Sequence, residues 1–116
     1  MNAAYTFSNR ENIQILAVNN LLNEYLNKEI LSKALSKIEK GFPDVIVDLS
    51  GMDFMNSVGL NFLLMLKSNL KMAGGKLAVI NASDKVLRLL DVTKLRPIFY
   101  LPGSLEEALK SFSVYE

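Results

Sequence analysis

Ser57 is the side chain in this chain best placed to do chemistry. It follows Met55-Asn56 and precedes Val58-Gly59-Leu60, where a short polar turn gives way to a long helical apolar pattern. A serine at such a junction can cap the helix, act as a nucleophile, or accept a regulatory modification. Two other groups invite a chemical reading. Asp48 ends a β-branched apolar run, Val45-Ile46-Val47, and Gly74-Gly75-Lys76 has the look of a fragment of a phosphate-binding loop.

Composition removes most catalytic options. The chain has no histidine and no cysteine, which excludes serine or cysteine nucleophiles served by an imidazole, and zinc held by either residue. A nucleophile elbow needs glycine two positions before the serine, and Met55 stands there. An aspartyl phosphate on Asp48 would require an acidic pair at an earlier strand end. Neither Asn9-Arg10-Glu11-Asn12 nor Val18-Asn19-Asn20 supplies one. The Gly74-Gly75-Lys76 segment lacks the first glycine of the phosphate-loop motif and has Leu77 where a hydroxyl is needed. It reads as a helix stop, and Asp48 as a strand-end carboxylate that accepts hydrogen bonds from backbone N–H groups.

For Ser57, capping and modification both stay open. Gly59 inside the first helical turn costs about 0.5–1 kcal/mol relative to alanine and is expected to leave a surface free of side chain beside the hydroxyl. The turn is otherwise apolar, with Met52, Phe54, Met55, Val58 and Leu60 around Asp53 and Asn56. At 100° per residue the helix has an inner stripe of Phe62, Leu63, Leu66, Leu70 and Ala73. A second stripe, Asn61, Met65, Ser68 and Met72, lies opposite. Methionines on that face suit either an adaptable partner surface or cover by another helix. A phosphate on Ser57 would sit at a helix N-terminus, where the dipole tolerates an anion. It would also add roughly −1.5 to −2 charges to an apolar patch, so a partner burying that patch would be repelled while the fold survived.

The remaining elements must position that serine. Tyr5 and Phe7 alternate with polar residues over Ala4 to Ser8, Asn9 to Asn12 is a turn, and Ile13 to Val18 follows, with Ile13, Ile15 and Ala17 on one face. This predicts a hairpin. A helix from about Asn23, carrying Leu26, Ile30, Leu31, Ala34, Leu35 and Ile38, ends at Gly41. Pro43 opens a strand over Asp44 to Leu49, a helix runs from Ser57 to Gly74-Gly75, and Lys76 to Ile80 is a strand. Ser83-Asp84 caps a helix with Val86, Leu87, Leu90 and Leu95. Pro97 to Leu101 is a last strand, and Ser104-Leu105-Glu106-Glu107 is a capping box for a final helix with Leu105, Ala108, Leu109 and Phe112 inward. The order β-β-α-β-α-β-α-β-α predicts an α/β fold, a mixed sheet parallel in its centre with about four packed helices. Functional loops in such sheets follow the strands' carboxyl ends, as Ser50 to Asn56 does.

With 116 residues, half of them apolar, the chain is expected to be one domain over 1–116. Lys and Arg number 13, Asp and Glu 12, a balance that offers nucleic acid no basic stripe. No apolar run is long enough for membrane insertion. No export-signal pattern opens the chain, so a cytoplasmic location is expected.

The strand Val45-Ile46-Val47-Asp48-Leu49-Ser50 followed by Asn56-Ser57-Val58-Gly59-Leu60 resembles the hallmark of STAS domains. That fold is shared by bacterial anti-sigma factor antagonists and the cytoplasmic part of sulfate transporters. The resemblance extends through the opening hairpin, the Leu22-Asn23 start of the first helix, Gly74-Gly75-Lys76-Leu77 and Pro97-Ile98-Phe99. Asn56 stands where the family usually has Asp, and Asn61 where Gly often follows Gly-Leu. The resemblance implies a STAS-like sheet and an anti-sigma factor antagonist that is not an enzyme and regulates transcription by partner switching. Ser57 is then the phosphoacceptor. The partner is an anti-sigma factor with serine-kinase activity of the HATPase type, and a PP2C-type phosphatase resets the cycle. Met55, Asn56, Val58, Gly59, Asn61, Met65 and Met72 would meet the partner, while Asp48 and Asn23 support the site structurally. ATP and magnesium would belong to the kinase, leaving this chain without a cofactor. The same resemblance also admits a non-phosphorylated scaffold, or a subunit of a signalling or lipid-transport complex.

Overall fold

The structure is a computed structural model and describes residues 4–21 and 23–113. Leu22, part of the family-like start of the first helix, lies outside them. The elements are β1 (Tyr5–Arg10), β2 (Ile13–Val18), α1 (Glu24–Glu39), β3 (Asp44–Asp48), α2 (Ser57–Met72), β4 (Leu77–Ile80), α3 (Asp84–Val92), a 3-10 turn (Arg96–Ile98) and α4 (Leu105–Ser113). The sheet order is β1-β2-β3-β4, with β1 and β2 antiparallel and the other neighbours parallel. This is the mixed sheet expected from the alternation of apolar strands and amphipathic helices.

Period-two alternation sorts the strands between two cores. Leu16, Val18, Val45, Val47 and Val79 face α1, α2 and α3, whereas Ile13, Ile46, Ala78 and Ile80 face α4. The central β3 is covered on both sides, which is why its run is apolar without interruption. In β2 the face expected to be apolar, Ile13, Ile15 and Ala17, is the shallower one. Gln14, Leu16 and Val18 are the more deeply buried set. Gln14 is accommodated there because its amide donates to the carbonyls of Ala34 (3.3 Å) and Phe42 (2.7 Å), tying β2 to α1 and to the loop before β3.

Helix starts follow the capping rules closely. Asn23 Oδ1 accepts from Leu26 N–H at 3.0 Å, and Ser83 Oγ accepts from Val86 N–H at 3.1 Å. Ser104 Oγ accepts from Glu107 N–H at 3.1 Å, but the Glu107 carboxylate reaches back to Gly103 N–H at 2.8 Å, one residue ahead of the cap.

Local differences from the sequence reading have local causes. β1 runs on to Arg10, so Glu11 and Asn12 alone make the turn, Glu11 with φ +55°. The stretch from Pro97 to Leu101 contributes one parallel bridge, Tyr100 to Ala78, in place of a full strand. Pro97 sits at the start of the 3-10 turn and Pro102 has no N–H to donate, so among the described residues the β4 edge is sealed by Val79 N–H donating to Tyr100 C=O at 2.9 Å. Leu95 lies beyond the end of α3, and Ala73, past the last turn of α2, is exposed. Along the hairpin's inner face, Lys33 Nζ donates to the Tyr5 hydroxyl at 2.6 Å, which raises the lysine pKa.

Candidate functional site at the start of the second helix

The loop from β3 to α2 is built by short-range bonds and three tethers. Asp48 Oδ1 accepts from Ser50 N–H (2.9 Å) and from Asn81 Nδ2 (3.0 Å), joining the ends of β3 and β4. Gly51 presses against Asn19, where a Cβ would come within 2.0 Å of the Asn19 side-chain oxygen. Asp53 is held from α3: its carbonyl accepts from the Ser83 hydroxyl at 2.5 Å and its carboxylate pairs with Lys85 at 3.0 Å. Both groups of the ion pair are well exposed, so the pair orients the loop more than it stabilises the fold.

Asn56 caps α2 and Ser57 does not. Asn56 is extended (φ −115°, ψ −170°), and its Oδ1 accepts from Val58 N–H at 3.0 Å and Gly59 N–H at 3.4 Å. Ser57 is the first helical residue and is exposed, with a hydroxyl that makes none of the capping bonds. The first turn of α2 carries no acidic residue, so no side chain of that turn offsets the positive end of the helix dipole.

Two of the expected surface residues point inward. Met55 is 7% exposed, and Gly59 is buried above it. A Cβ on Gly59 would lie 2.7 Å from Met55 Cγ and 3.2 Å from Leu21 Cβ. Gly59 therefore admits the methionine beneath the helix start, which corrects the idea that its missing side chain leaves an open patch. Met52 and Leu60 are buried as well. The apolar turn is thus largely a core plug, because a loop crossing the end of a two-sided sheet must close the core under it.

What remains on the surface is compact. Phe54 (52% exposed), Asn56, Ser57, half-buried Val58, Asn61 and Met65 (44% exposed) form one side of the helix start. Between this side and α1 runs a groove of about 210 Å³ with Asn27, Leu31, Val58, Asn61 and Met65 in its wall. Met72, 85% exposed, stands at the last turn of α2, roughly 22 Å along the axis from Ser57. The helix holds it apart from the other candidates. Asn23 supports the site only through its cap on α1.

Sequence reasoning missed Asn27. This side chain, 8% exposed, donates through Nδ2 to Leu21 C=O at 3.0 Å and Val58 C=O at 3.4 Å. One buried amide thereby joins the β2–α1 loop, α1 and the first turn of α2. The available signal was its spacing, three and seven residues before Ile30 and Ala34, which puts a polar residue on the buried stripe of α1.

A mixed sheet with a capped helix start presenting one exposed hydroxyl at a strand's carboxyl end defines a small α/β domain with a surface serine site. The STAS domain family profile matches residues 5–109, and the chain belongs to that family. A Bordetella bronchiseptica protein with the provisional name anti-sigma factor antagonist BtrV is 22% identical over 107 residues, covering 92% of each chain. The anti-sigma factor antagonist SpoIIAA in its unphosphorylated form superposes with a TM-score of 0.79 at 19% identity, covering 95% of this chain and 96% of that one. The phosphorylated form of SpoIIAA, described as a Bacillus cell fate determinant, gives 0.73 at 18% identity, covering 94% and 99%. Among the described residues no helix is long and apolar enough to cross a membrane.

Proposed function

We propose that this protein is an anti-sigma factor antagonist of the cytoplasm, a single non-enzymatic STAS domain switched by phosphorylation of Ser57. The observation that carries the reading is the division of labour at the helix start. Asn56 satisfies the first-turn N–H groups, which leaves the Ser57 hydroxyl exposed and unspent. The partner is an anti-sigma factor with serine-kinase activity of the HATPase type. It docks on Phe54, Asn56, Val58, Asn61 and Met65, while Met55 and Gly59 shape that surface from below. Met72 is touched only if the partner extends the length of α2.

The chemistry on this chain is one transfer. Ser57 Oγ attacks the γ-phosphorus of ATP held by the kinase, a serine O–P bond forms, the bond to the β-phosphate oxygen breaks, and ADP leaves. The hydroxyl proton passes to a base of the kinase. The product oxygens lie at the N-terminus of α2, where the helix dipole favours them. They also place about two negative charges beside Phe54 and Val58, so a partner covering those side chains would bury an unpaired charge. Docking is lost and the fold is kept. A PP2C-type phosphatase hydrolyses the ester and returns the free hydroxyl.

The test is mass spectrometry after incubation with the cognate kinase and ATP. One phosphate on Ser57, absent from Ser57→Ala, is expected. A mass gain that survives Ser57→Ala, or no gain with any candidate kinase, overturns the switch.

A further inference from the structure

The groove beside the Ser57 face contains a buried acceptor that the fold does not satisfy. Asn27 lines the groove between α1 and α2 and is 8% exposed. Its Nδ2 group is engaged with the Leu21 and Val58 carbonyls. Both of those partners are acceptors, which fixes the orientation of the amide and makes Oδ1 its other end. That oxygen has no hydrogen-bond partner among the described residues. A buried acceptor without a donor forfeits most of its hydration and gains nothing in exchange. Asn61, the amide that lines the groove from α2, does not supply the donor, since its Nδ2 leans on Met65 Sδ at 3.7 Å.

The walls decide what a donor must be attached to. Leu31 on α1 and Val58, Phe62 and Met65 on α2 are apolar. The groove's volume of about 210 Å³ exceeds the roughly 150 Å³ of an apolar cavity that holds benzene, so a fused pair of rings is of the right size. The Met65 thioether is a favourable neighbour for such a ring. Arginine, tyrosine and tryptophan are the side chains that anchor most protein interfaces. Glu24 and Lys28 also line the groove, both exposed and of opposite sign, so a guanidinium gains little from their combined field. A tyrosine hydroxyl brings an acceptor along with its donor. Indole carries one N–H and no acceptor, which matches a single unpaired oxygen.

We propose that this groove receives an indole, the tryptophan side chain of the protein that docks on the Ser57 face. The inference rests on the reading of that face as a docking surface, and it names the contact the partner makes there. Val58, Asn61 and Met65 belong both to the groove and to the docking surface, so a partner that covers one closes the other. Closure shuts water away from Asn27 Oδ1, and the complex is favoured where the partner brings a donor to that oxygen. The ring lies against Leu31 and Met65, its N–H donates to Oδ1, and both ends of the Asn27 amide are then paired.

The experiment titrates the full chain with 3-methylindole, which is the tryptophan side chain as a free molecule, and with its isomer 1-methylindole, which lacks the N–H. With the first, saturable NMR shifts are expected at the Val58, Asn61 and Met65 amides and at the Asn27 side-chain amide. The second is expected to bind roughly fivefold more weakly. Met65→Ala, checked for folding by its amide spectrum, is expected to weaken the first roughly threefold. Bound 3-methylindole is expected to weaken docking of the anti-sigma factor, read by titration calorimetry. No saturable shift in the groove, equal affinity for the two isomers, unchanged affinity in Met65→Ala, or docking unaffected by the bound ring overturns the proposal. The ring titrations need neither kinase nor ATP, so the two readings fail separately. Phosphorylation of Ser57 without ring binding overturns the groove alone, and ring binding with competition but no phosphorylation overturns the switch alone.

Discussion

Ser57 and Ser83 stand at the starts of neighbouring helices and look interchangeable as sequence, each a small hydroxyl before an apolar repeat. The structure uses them in opposite ways. Ser83 is the cap of α3, and its hydroxyl both accepts from Val86 N–H and donates to Asp53 C=O. Ser57 sits one residue inside α2 because Asn56 has already taken the cap. A one-residue offset in helix register decides which hydroxyl is structural and which is spare. The spare one is the one an enzyme can modify without dismantling a helix start.

The largest test of that contrast concerns partner binding. Ser57→Asp is expected to weaken binding of the anti-sigma factor by tenfold or more with little change in melting temperature, read by titration calorimetry and thermal denaturation. A large melting loss would show that the hydroxyl is structural after all. Next in size is Asn27→Ala, which removes both bonds across the junction of α1 and α2. It should cost about 1–3 kcal/mol in urea unfolding, and an unchanged midpoint would show that the junction holds by packing alone.

The two serines themselves should separate at the next level. Ser83→Ala is expected to cost about 1–2 kcal/mol, because it loses a cap and a tether together, whereas Ser57→Ala should stay within about 0.5 kcal/mol of the parent. Equal losses would erase the distinction. Smallest of all, Lys85→Ala removes an exposed pair with Asp53 and should shift stability by no more than about 1 kcal/mol. Its expected signature is faster exchange of loop amides around Asp53.

Much of the architecture was legible because it is written in local rules. Ser83 caps where predicted, Asn23 caps the helix that was expected to begin about there, and Ser104 caps with its glutamate reaching one residue further back. The strand and helix order follows from apolar periods of two and 3.6 residues. The angle of the methionine stripe on α2 left exposure or cover by another helix open, and the structure leaves Met65 and Met72 exposed. The shortened last strand was legible only in part: Pro97 and Pro102 were visible, but how little they leave for pairing depended on where β4 lies. Met55 and Gly59 were read as surface because a loop's sequence does not say which side chains turn under it.

By itself, then, the chain's order of residues settles what forms within a few positions: turns, caps, amphipathic faces, and a serine at a helix start. Those properties depend on backbone geometry that neighbours impose on one another. Packing alone decided that Met55 fills the space Gly59 vacates and that Asn27 joins three segments. It also decided that Leu31, from one helix, shares a groove with Val58 and Met65 from the next. Such contacts arise only once the sheet has brought distant segments together, and no local period encodes them.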